Sequence, residues 1–514
     1  MPQTSLLVEK LLQQAEPDFP MIVEEGCSWR LSEFREHVYR LASHLNERGI
    51  QPGDRVALMF MNQKEYLVGF FAVLHAGAVV TPINITLPPE DIAYVIGDSG
   101  ARLMLADASF APLLDGRLPI PMLMANSPDI NKFPSLESAI DQGNPDFPGL
   151  PPGDAKTMRV LMYTSGTTGR PKGVMLSEQN LLSNMEGLHP VLRLHKGERL
   201  LLALPLFHAY GQMIALYALH CSAPIYLVPN FAPKKILQTL VEHRINLLPL
   251  VPTLFSVLLS SIPKVGVENL KHLKACVSGG AALPEALLRT LQDMLDLQVI
   301  EGYGMTETAP VLAVNARNET YEIVAKSVGC PLPNLEMKLV DEQGKTIPHQ
   351  PGEVSAEGEI VVRGPNVMLG YYNLPEETAQ AFDADGFLRT GDLGHFDAEG
   401  RLFISGGRKK DLIIKAGENI APVRIEEVLM QHPAIRNAAV IGIPDEKLGE
   451  DILACVECHP ETNATEAELR CFCRDTLPPF MVPAAIRIYD ELPKNPAGKI
   501  LKPKLRQENA LIQS

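Results

Sequence analysis

The feature that most constrains how this chain can fold is a switch of hydrophobic period within residues 55–82. Arg55–Met61 is an apolar run of strand length. In Glu65–His75 the residues Tyr66, Leu67, Phe70, Phe71 and Leu74 recur at helical spacing; Gly77 ends the repeat, and Ala78–Pro82 is strand-like again. Strand, crossover helix and strand make a βαβ unit, and such units build parallel sheets with helices on their faces. Similar alternation continues through Ile245–Ser260 and Leu273–Leu297. From about Glu336 the pattern changes. EMKLVDEQGKTIP and EGEIVVRGP read as short strands joined by Gly-containing turns, a small β unit. The triplet Ser405-Gly406-Gly407 reads as a flexible junction. Beyond it Pro422 can open a helix over Val423–Met430, AAVIGIPDE and DILACVECHP look like strands, and Thr465 can cap a helix in TEAELRCFCRDTL. The expectation is an α/β chain: a large multi-subdomain N-terminal domain (1–407) with parallel-rich sheets and a small β unit, then a smaller, mobile α+β C-terminal domain (408–514).

With 46% hydrophobic and 21% charged residues, the chain has the composition of a globular protein and not of a disordered one. Its formal charge, 46 − 61 = −15, argues against general binding to nucleic-acid backbones and leaves room for a local basic site. No apolar stretch reaches the roughly 18 residues of a spanning helix. The most apolar region, LLPLVPTLFSVLL, is interrupted by Pro249, Pro252 and Thr253. The first residues carry Glu9 and Glu16 and no signal-peptide core, so a cytoplasmic location is expected. Oligomeric state and peripheral membrane contact stay open. Among the cysteines, Cys455, Cys458, Cys471 and Cys473 lie close enough in sequence to suggest zinc. The first pair falls at opposite parity on a strand, and the second about 200° apart on a helix, which favours ordinary core and surface cysteines.

The sharpest local signal is YTSGTTGRPKGV, residues 163–174, between Val160–Met162 and the apolar VMLS. It looks like a loop joining two strands. Glycines let backbone N–H groups approach an anion, Thr164, Ser165, Thr167 and Thr168 add hydroxyls, and Lys172 adds a positive charge. Such chemistry suits a polyphosphate, although the Walker spacing is absent. A Ser/Thr/Gly stretch alone would ordinarily be a polar surface loop.

This string resembles the phosphate-loop signature of the adenylate-forming superfamily of acyl-CoA synthetases, adenylation domains and luciferases. Further resemblances follow in the same order along nearly the whole chain. ALPLFHAYG (203–211) is similar to the family's acyl-site aromatic segment, and VSGGAAL (277–283) and EGYGMTET (301–308) to its adenine- and phosphate-facing segments. RTGDLG (389–394) resembles the ribose segment, GRKKDLIIKAGENI (407–420) the hinge, and LPKNPAGKI (492–500) the loop of the catalytic lysine. The resemblance implies two half-reactions: ATP and a carboxylate give an acyl-adenylate and pyrophosphate, then a thiol takes the acyl group and AMP leaves. It implies that Thr164, Ser165, Gly166, Thr167, Thr168 and Lys172 hold phosphates, that Glu307 binds Mg²⁺, and that Thr306 touches the α-phosphate. Tyr303 would stack on the adenine, with Gly279, Gly280 and Ala281 lining its pocket, and Gly304 would also belong to the ATP/AMP site. Asp392 and Arg408 would hold the ribose. Lys499 would bridge carboxylate and α-phosphate, Lys410 would be the hinge, and Gly417 would line the CoA tunnel. Outside this context Asp392 would read as a turn residue, Arg408 and Lys410 as solvated charges, and Lys499 as unremarkable.

His208 stands where amino-acid-activating members of the family place an aspartate, so an α-amino acid is disfavoured. The position resembles that of acyl and aryl members, where it helps gate the carboxylate. Val311–Val314 and residues 212–228 offer apolar walls, or simply core. Ile414 weakens an aryl-ligase reading, and Arg424 departs from a common glutamate. The resemblance therefore implies a fatty acyl-CoA synthetase of medium- or long-chain preference using ATP, Mg²⁺ and CoA. The alternatives are a ligase loading an acyl carrier protein and a non-catalytic nucleotide- or acyl-binding relative.

Overall fold

The computed structural model describes residues 5–13, 18–24, 26–127, 129, 131–150, 154, 156–164, 171–408, 413–415, 418–420, 422–445, 448–460, 462–477, 479–495, 498 and 500–510. The βαβ reading holds. Arg55–Met59, the helix Lys64–His75 and Val79–Pro82 form the unit, with the two strands parallel and in register from Arg55–Val79 to Leu58–Pro82. Every residue of the helix from Tyr66 to His75 is buried, because the helix is covered by sheet on one side and by the helix Leu31–Glu47 on the other.

Two parallel-rich sheets carry the N-terminal part. One has seven strands, in the order Gly370–Tyr371, Lys172–Ser177, Met158–Thr164, Val79–Pro82, Arg55–Met59, Leu103–Asp107 and Met122–Ala125. The other has nine, with the parallel core Gln298–Gly304, Ala275–Ser278, Leu247–Leu250, Leu200–Leu202, Ile225–Leu227 and Pro20–Glu24. A continuous apolar cluster links the two sheets through residues such as Val80, Val160, Leu202, Val277 and Ile300. Buried strands of this kind read as unbroken apolar runs.

The small β unit expected after Glu336 is a five-stranded antiparallel sheet: Thr346–Ile347, Glu336–Val340, Gly358–Arg363, Leu388–Phe396 and Leu402–Arg408. Here the sequence reading needs one correction. Ser405-Gly406-Gly407 is not a loop but the end of the strand Leu402–Arg408, with Asp392 opposite Arg408. Side-chain-free residues suit close strand pairing as well as they suit a bend.

The C-terminal part is smaller and has its own core. Ile435–Asp445 pairs antiparallel with Gly449–Cys458, Ala485–Tyr489 adds in parallel, and the helices Pro422–Met430 and Glu466–Thr476 cover the sheet. Thr465 caps the second helix as expected: its Oγ1 accepts the Glu468 N–H at 3.3 Å while the Glu468 carboxylate accepts the Thr465 N–H at 2.8 Å. On that helix Cys473 is buried and Cys471 exposed, as their angular separation requires. Among the described residues, no helix is long and apolar enough to cross a membrane.

Candidate functional site

The described candidate residues collect where the two parallel-rich sheets and the small antiparallel sheet meet. Thr164 ends the strand Met158–Thr164, Lys172 begins Lys172–Ser177, and the two are register partners across the antiparallel pair. The expected strand–loop–strand arrangement is therefore present. Ser165, Gly166, Thr167 and Thr168, the middle of the loop, lie outside the described residues. Tyr163 is drawn off to one side, its phenol donating to Asp98 Oδ2 at 2.6 Å.

The base of this hairpin is fixed by a buried ion pair. Arg159 Nε lies 3.2 Å from Glu178 Oε1, with side-chain exposures of 2% and 1%. Glu178 also accepts from Ser5 Oγ at 2.7 Å and from the Leu6 N–H at 2.6 Å, and Arg159 donates to the carbonyls of Leu74 and Gly77. A buried charge pair is tolerated when the surplus donors and acceptors find partners, as they do here.

The second wall comes from the nine-stranded sheet. Gly279, Gly280 and Ala281 follow the carboxyl end of Ala275–Ser278, and Tyr303, Gly304, Thr306 and Glu307 occupy the carboxyl end of Gln298–Gly304 and the turn after it. Ligands of α/β sheets sit at such strand ends. Gly304 is required by packing, since an added Cβ would overlap the Pro310 carbonyl. Gly279 faces the Tyr210 ring, whose hydroxyl donates to the Val277 carbonyl at 3.0 Å.

Two hydrogen bonds join the walls. Tyr303 OH donates to Asp392 Oδ2 at 2.6 Å, tying the nine-stranded sheet to the small antiparallel one. Tyr371 OH donates to Glu307 Oε1 at 2.9 Å, and Lys172 Nζ sits 5.4 Å from the centre of the Tyr371 ring. Tyr371 thus connects the candidate metal carboxylate to the candidate phosphate lysine, and the sequence reading passed over it. The Met368 N–H donates to the Glu307 carbonyl at 2.8 Å, fixing the same turn from the backbone.

Arg408 stands opposite Asp392 in the strand register, with its side chain outside the described part. Lys410, Gly417 and Lys499 lie outside the described residues. Gly498, the neighbour of Lys499, is placed: its carbonyl accepts from Thr253 Oγ1 at 3.1 Å.

His208 occupies the N-cap of the helix Ala209–His220 beside Phe207, with ring centroids 4.7 Å apart. Its Nε2 is buried without a partner among the described residues, and burial pushes its pKa down to about 4. The imidazole is therefore neutral near pH 7 and has a hydrogen bond rather than a charge to offer. Glu301, which the sequence reading did not single out, is a second buried titratable group. Its Oε1 accepts the Leu283 N–H at 2.9 Å, and desolvation, with a smaller contribution from Glu427, pushes its pKa up to about 8. It opens the EGYGMTET segment, yet nothing in that string tells in advance that its carboxyl is buried against the Leu283 N–H.

This geometry has counterparts among known proteins. The profile described as AMP-binding enzyme matches residues 11–372, and that of the AMP-binding enzyme C-terminal domain matches residues 424–499. The chain belongs to the AMP-binding enzyme family. Among its relatives, a long-chain-fatty-acid–CoA ligase of Bacillus subtilis is 33% identical over 96% of this chain and 92% of its own length. A sulfoacetate–CoA ligase of Cupriavidus necator is 35% identical over 89% of this chain and 88% of its own. The ATP-bound crystal structure of MatB from Rhodopseudomonas palustris superposes with a TM-score of 0.90 at 31% identity, with complete coverage of both chains. The fold is thus that of the adenylate-forming enzymes, a large N-terminal domain with parallel-rich sheets and a smaller C-terminal domain. The chain is an acyl-CoA ligase homologue.

Proposed function

We propose that this AMP-binding enzyme activates a fatty carboxylic acid as its acyl-adenylate and transfers the acyl group to the thiol of CoA. The observation that carries the reading is the junction of Lys172, Tyr371, Glu307, Tyr303 and Asp392 from three sheets at one edge. A carboxylate attacking the α-phosphate brings two anions together, and the reaction needs fixed cationic and hydrogen-bonding groups around them. Thr164–Thr168 and Lys172 hold the phosphates, and Thr306 meets the α-phosphate. Tyr303 and Gly304 pack on the adenine beside Gly279–Ala281, and Asp392 with Arg408 holds the ribose. His208, neutral and with a ring nitrogen that has no partner among the described residues, orients the acid's carboxylate by a hydrogen bond. Lys499 stabilises the adenylating transition state, Lys410 is the hinge, and Gly417 leaves room for the pantetheine arm. We place the domain boundary at residues 407–408.

The site also fits Mg²⁺. Glu307 offers a hard carboxylate oxygen already oriented by Tyr371, and Mg²⁺ is characteristically held by one or two carboxylates together with substrate phosphates. When bound it would offset phosphate charge.

The fatty acid is favoured by the apolar strand Val311–Val314, whose Leu312, Ala313 and Val314 are buried, and by the long-chain relative. An alkyl chain in such surroundings gains roughly 0.8 kcal/mol per buried CH₂. The test is pyrophosphate release with ATP·Mg²⁺ over acids from acetate to palmitate, with sulfoacetate, ferulate, benzoate and amino acids included, each with and without CoA. A response that rises with alkyl length and turns over only with CoA is expected. A response confined to sulfoacetate or ferulate removes the fatty-acid assignment, and turnover only with an acyl carrier protein removes CoA as acceptor. Lys499→Ala is expected to abolish adenylation while ATP binding persists; adenylation at the wild-type rate would reassign the catalytic lysine.

A further inference from the structure

The loop that precedes Lys499 is held at two points. Its base belongs to the C-terminal part. Lys494 and Ile500 form an antiparallel bridge, the Leu501 N–H donates to the Pro493 carbonyl at 2.8 Å, and Leu492 is buried. Lys494 Nζ lies 2.6 Å from Glu457 Oε2, and Glu457 is itself buried and paired with Arg436 at 3.2 Å. Its tip is held from elsewhere. The Gly498 N–H closes a turn on the Asn495 carbonyl at 2.8 Å, and the Gly498 carbonyl accepts from Thr253 Oγ1 at 3.1 Å.

Thr253 lies in the first turn of the helix Pro252–Leu259, directly after the strand Leu247–Leu250 of the nine-stranded sheet. That strand ends on the same edge as Ala275–Ser278 and Gln298–Gly304, which carry the nucleotide-facing candidates. The fit at the tip is close. Gly498 has φ +77°, and a Cβ there would overlap Thr253 Oγ1 and come within 3.3 Å of Val251 Cγ2. Only glycine can present its carbonyl to Thr253 in this way. The partners are 245 residues apart, and their neighbours pack in different hydrophobic clusters, Leu254 and Phe255 in one and Leu492 and Ile500 in another, so the bond exists only while the two parts of the molecule meet.

We propose that Thr253 is a positioning residue for the adenylation step: it fixes the tip of the C-terminal loop against the nucleotide edge and so sets where Lys499 is delivered. The proposal rests on the reading of Lys499 as the adenylating lysine. Thr253 need not touch a substrate. Its hydroxyl converts a loop anchored only at its base into one anchored at base and tip, which lowers the entropy lost on reaching the reactive geometry.

The test separates the half-reactions in the full-length enzyme for wild type, Thr253→Val, Thr253→Ser and Lys499→Ala. Acid-dependent ATP–pyrophosphate exchange reports adenylation, thioester formation from supplied acyl-adenylate and CoA reports the second step, and thermal melting reports folding. Thr253→Val is expected to lower the adenylation kcat by about tenfold, the effect of losing one positioned hydrogen bond. KM for ATP, the second half-reaction and the melting temperature should stay near wild type, and Thr253→Ser should recover most of the rate. Adenylation unchanged in Thr253→Val while Lys499→Ala abolishes it would overturn the proposal. So would equal losses in both half-reactions with a lowered melting temperature, which mark a structural role. Adenylation unchanged in Lys499→Ala would instead overturn the reading beneath it.

Discussion

Glu178 and Glu301 are both glutamates with buried side chains, each near the edge of a parallel-rich sheet. Glu178 begins the helix Glu178–Leu192, and its carboxylate receives the Arg159 guanidinium, the Ser5 hydroxyl and the N–H groups of Leu6 and Leu7. Glu301 receives the Leu283 N–H and makes no salt bridge among the described residues, and its pKa rises to about 8. The difference separates scaffold from site. A carboxylate whose acceptor capacity is used by the protein braces the hairpin that carries Thr164 and Lys172. A carboxyl kept from ionising by desolvation retains capacity for something else, and such groups gather at functional edges.

The largest expected effect comes from breaking the scaffold half of this contrast. Arg159→Met keeps the apolar stem and removes the guanidinium, leaving the Glu178 carboxylate buried without its cation. The cost is expected to be about 3–5 kcal/mol of folding stability, the usual penalty for orphaning a buried charge. Chemical denaturation of the variant measures it. A loss under about 1 kcal/mol would mean that hydrogen bonds alone satisfy Glu178, and the two carboxylates would be more alike than the structure indicates.

The surroundings of neither glutamate were legible from the sequence, and the reason is physical. The phosphate-loop string, the Gly279–Ala281 turn and the Asp392 segment are local, so their chemistry is written in consecutive residues. The βαβ unit at 55–82 and the Thr465 cap were legible on the same grounds, as period and capping act within a few residues. Partners drawn from distant segments leave no such trace. Tyr371 reaches Glu307 across 64 residues, and Ser5 reaches Glu178 across 173. The Ser405–Gly407 triplet shows the opposite failure, a local signal overruled by tertiary context, because pairing with Leu388–Phe396 makes those residues a strand.

The next effect concerns pH. The folded-state pKa of Glu301 lies above its unfolded value, so between pH 4.5 and about 8 the folded protein binds the extra proton. Its contribution to stability is fully present below that window and is lost as pH rises through it, by at most about 1.4 kcal/mol per pH unit. Glu301→Gln mimics the protonated form and should remove this component. The stability difference between variant and wild type, measured by denaturation at several pH values without nucleotide, is expected to grow in favour of the variant from pH 5 to 8. A flat difference would place Glu301 with Glu178, as a carboxylate already satisfied in the fold.

The smallest effect sharpens the comparison with a third buried carboxylate, Asp392, which accepts from Tyr303 OH at 2.6 Å. Tyr303 lies two residues beyond Glu301 on the strand Gln298–Gly304, so one strand edge serves both carboxyl groups. Tyr303→Phe keeps the ring for stacking on adenine and deletes only the hydroxyl that orients Asp392. If Asp392 holds the ribose, the loss is about 1 kcal/mol of nucleotide binding, roughly a fivefold rise in the KM for ATP. The KM for the acid should not move, since the ring beside Ala313 is kept and only the hydroxyl bonded to Asp392 is removed. A change in the acid's KM with none in ATP's would mean that Asp392 faces the other substrate. The ribose assignment would then fall, while the contrast between Glu178, braced by Arg159, and Glu301, which makes no salt bridge among the described residues, would stand.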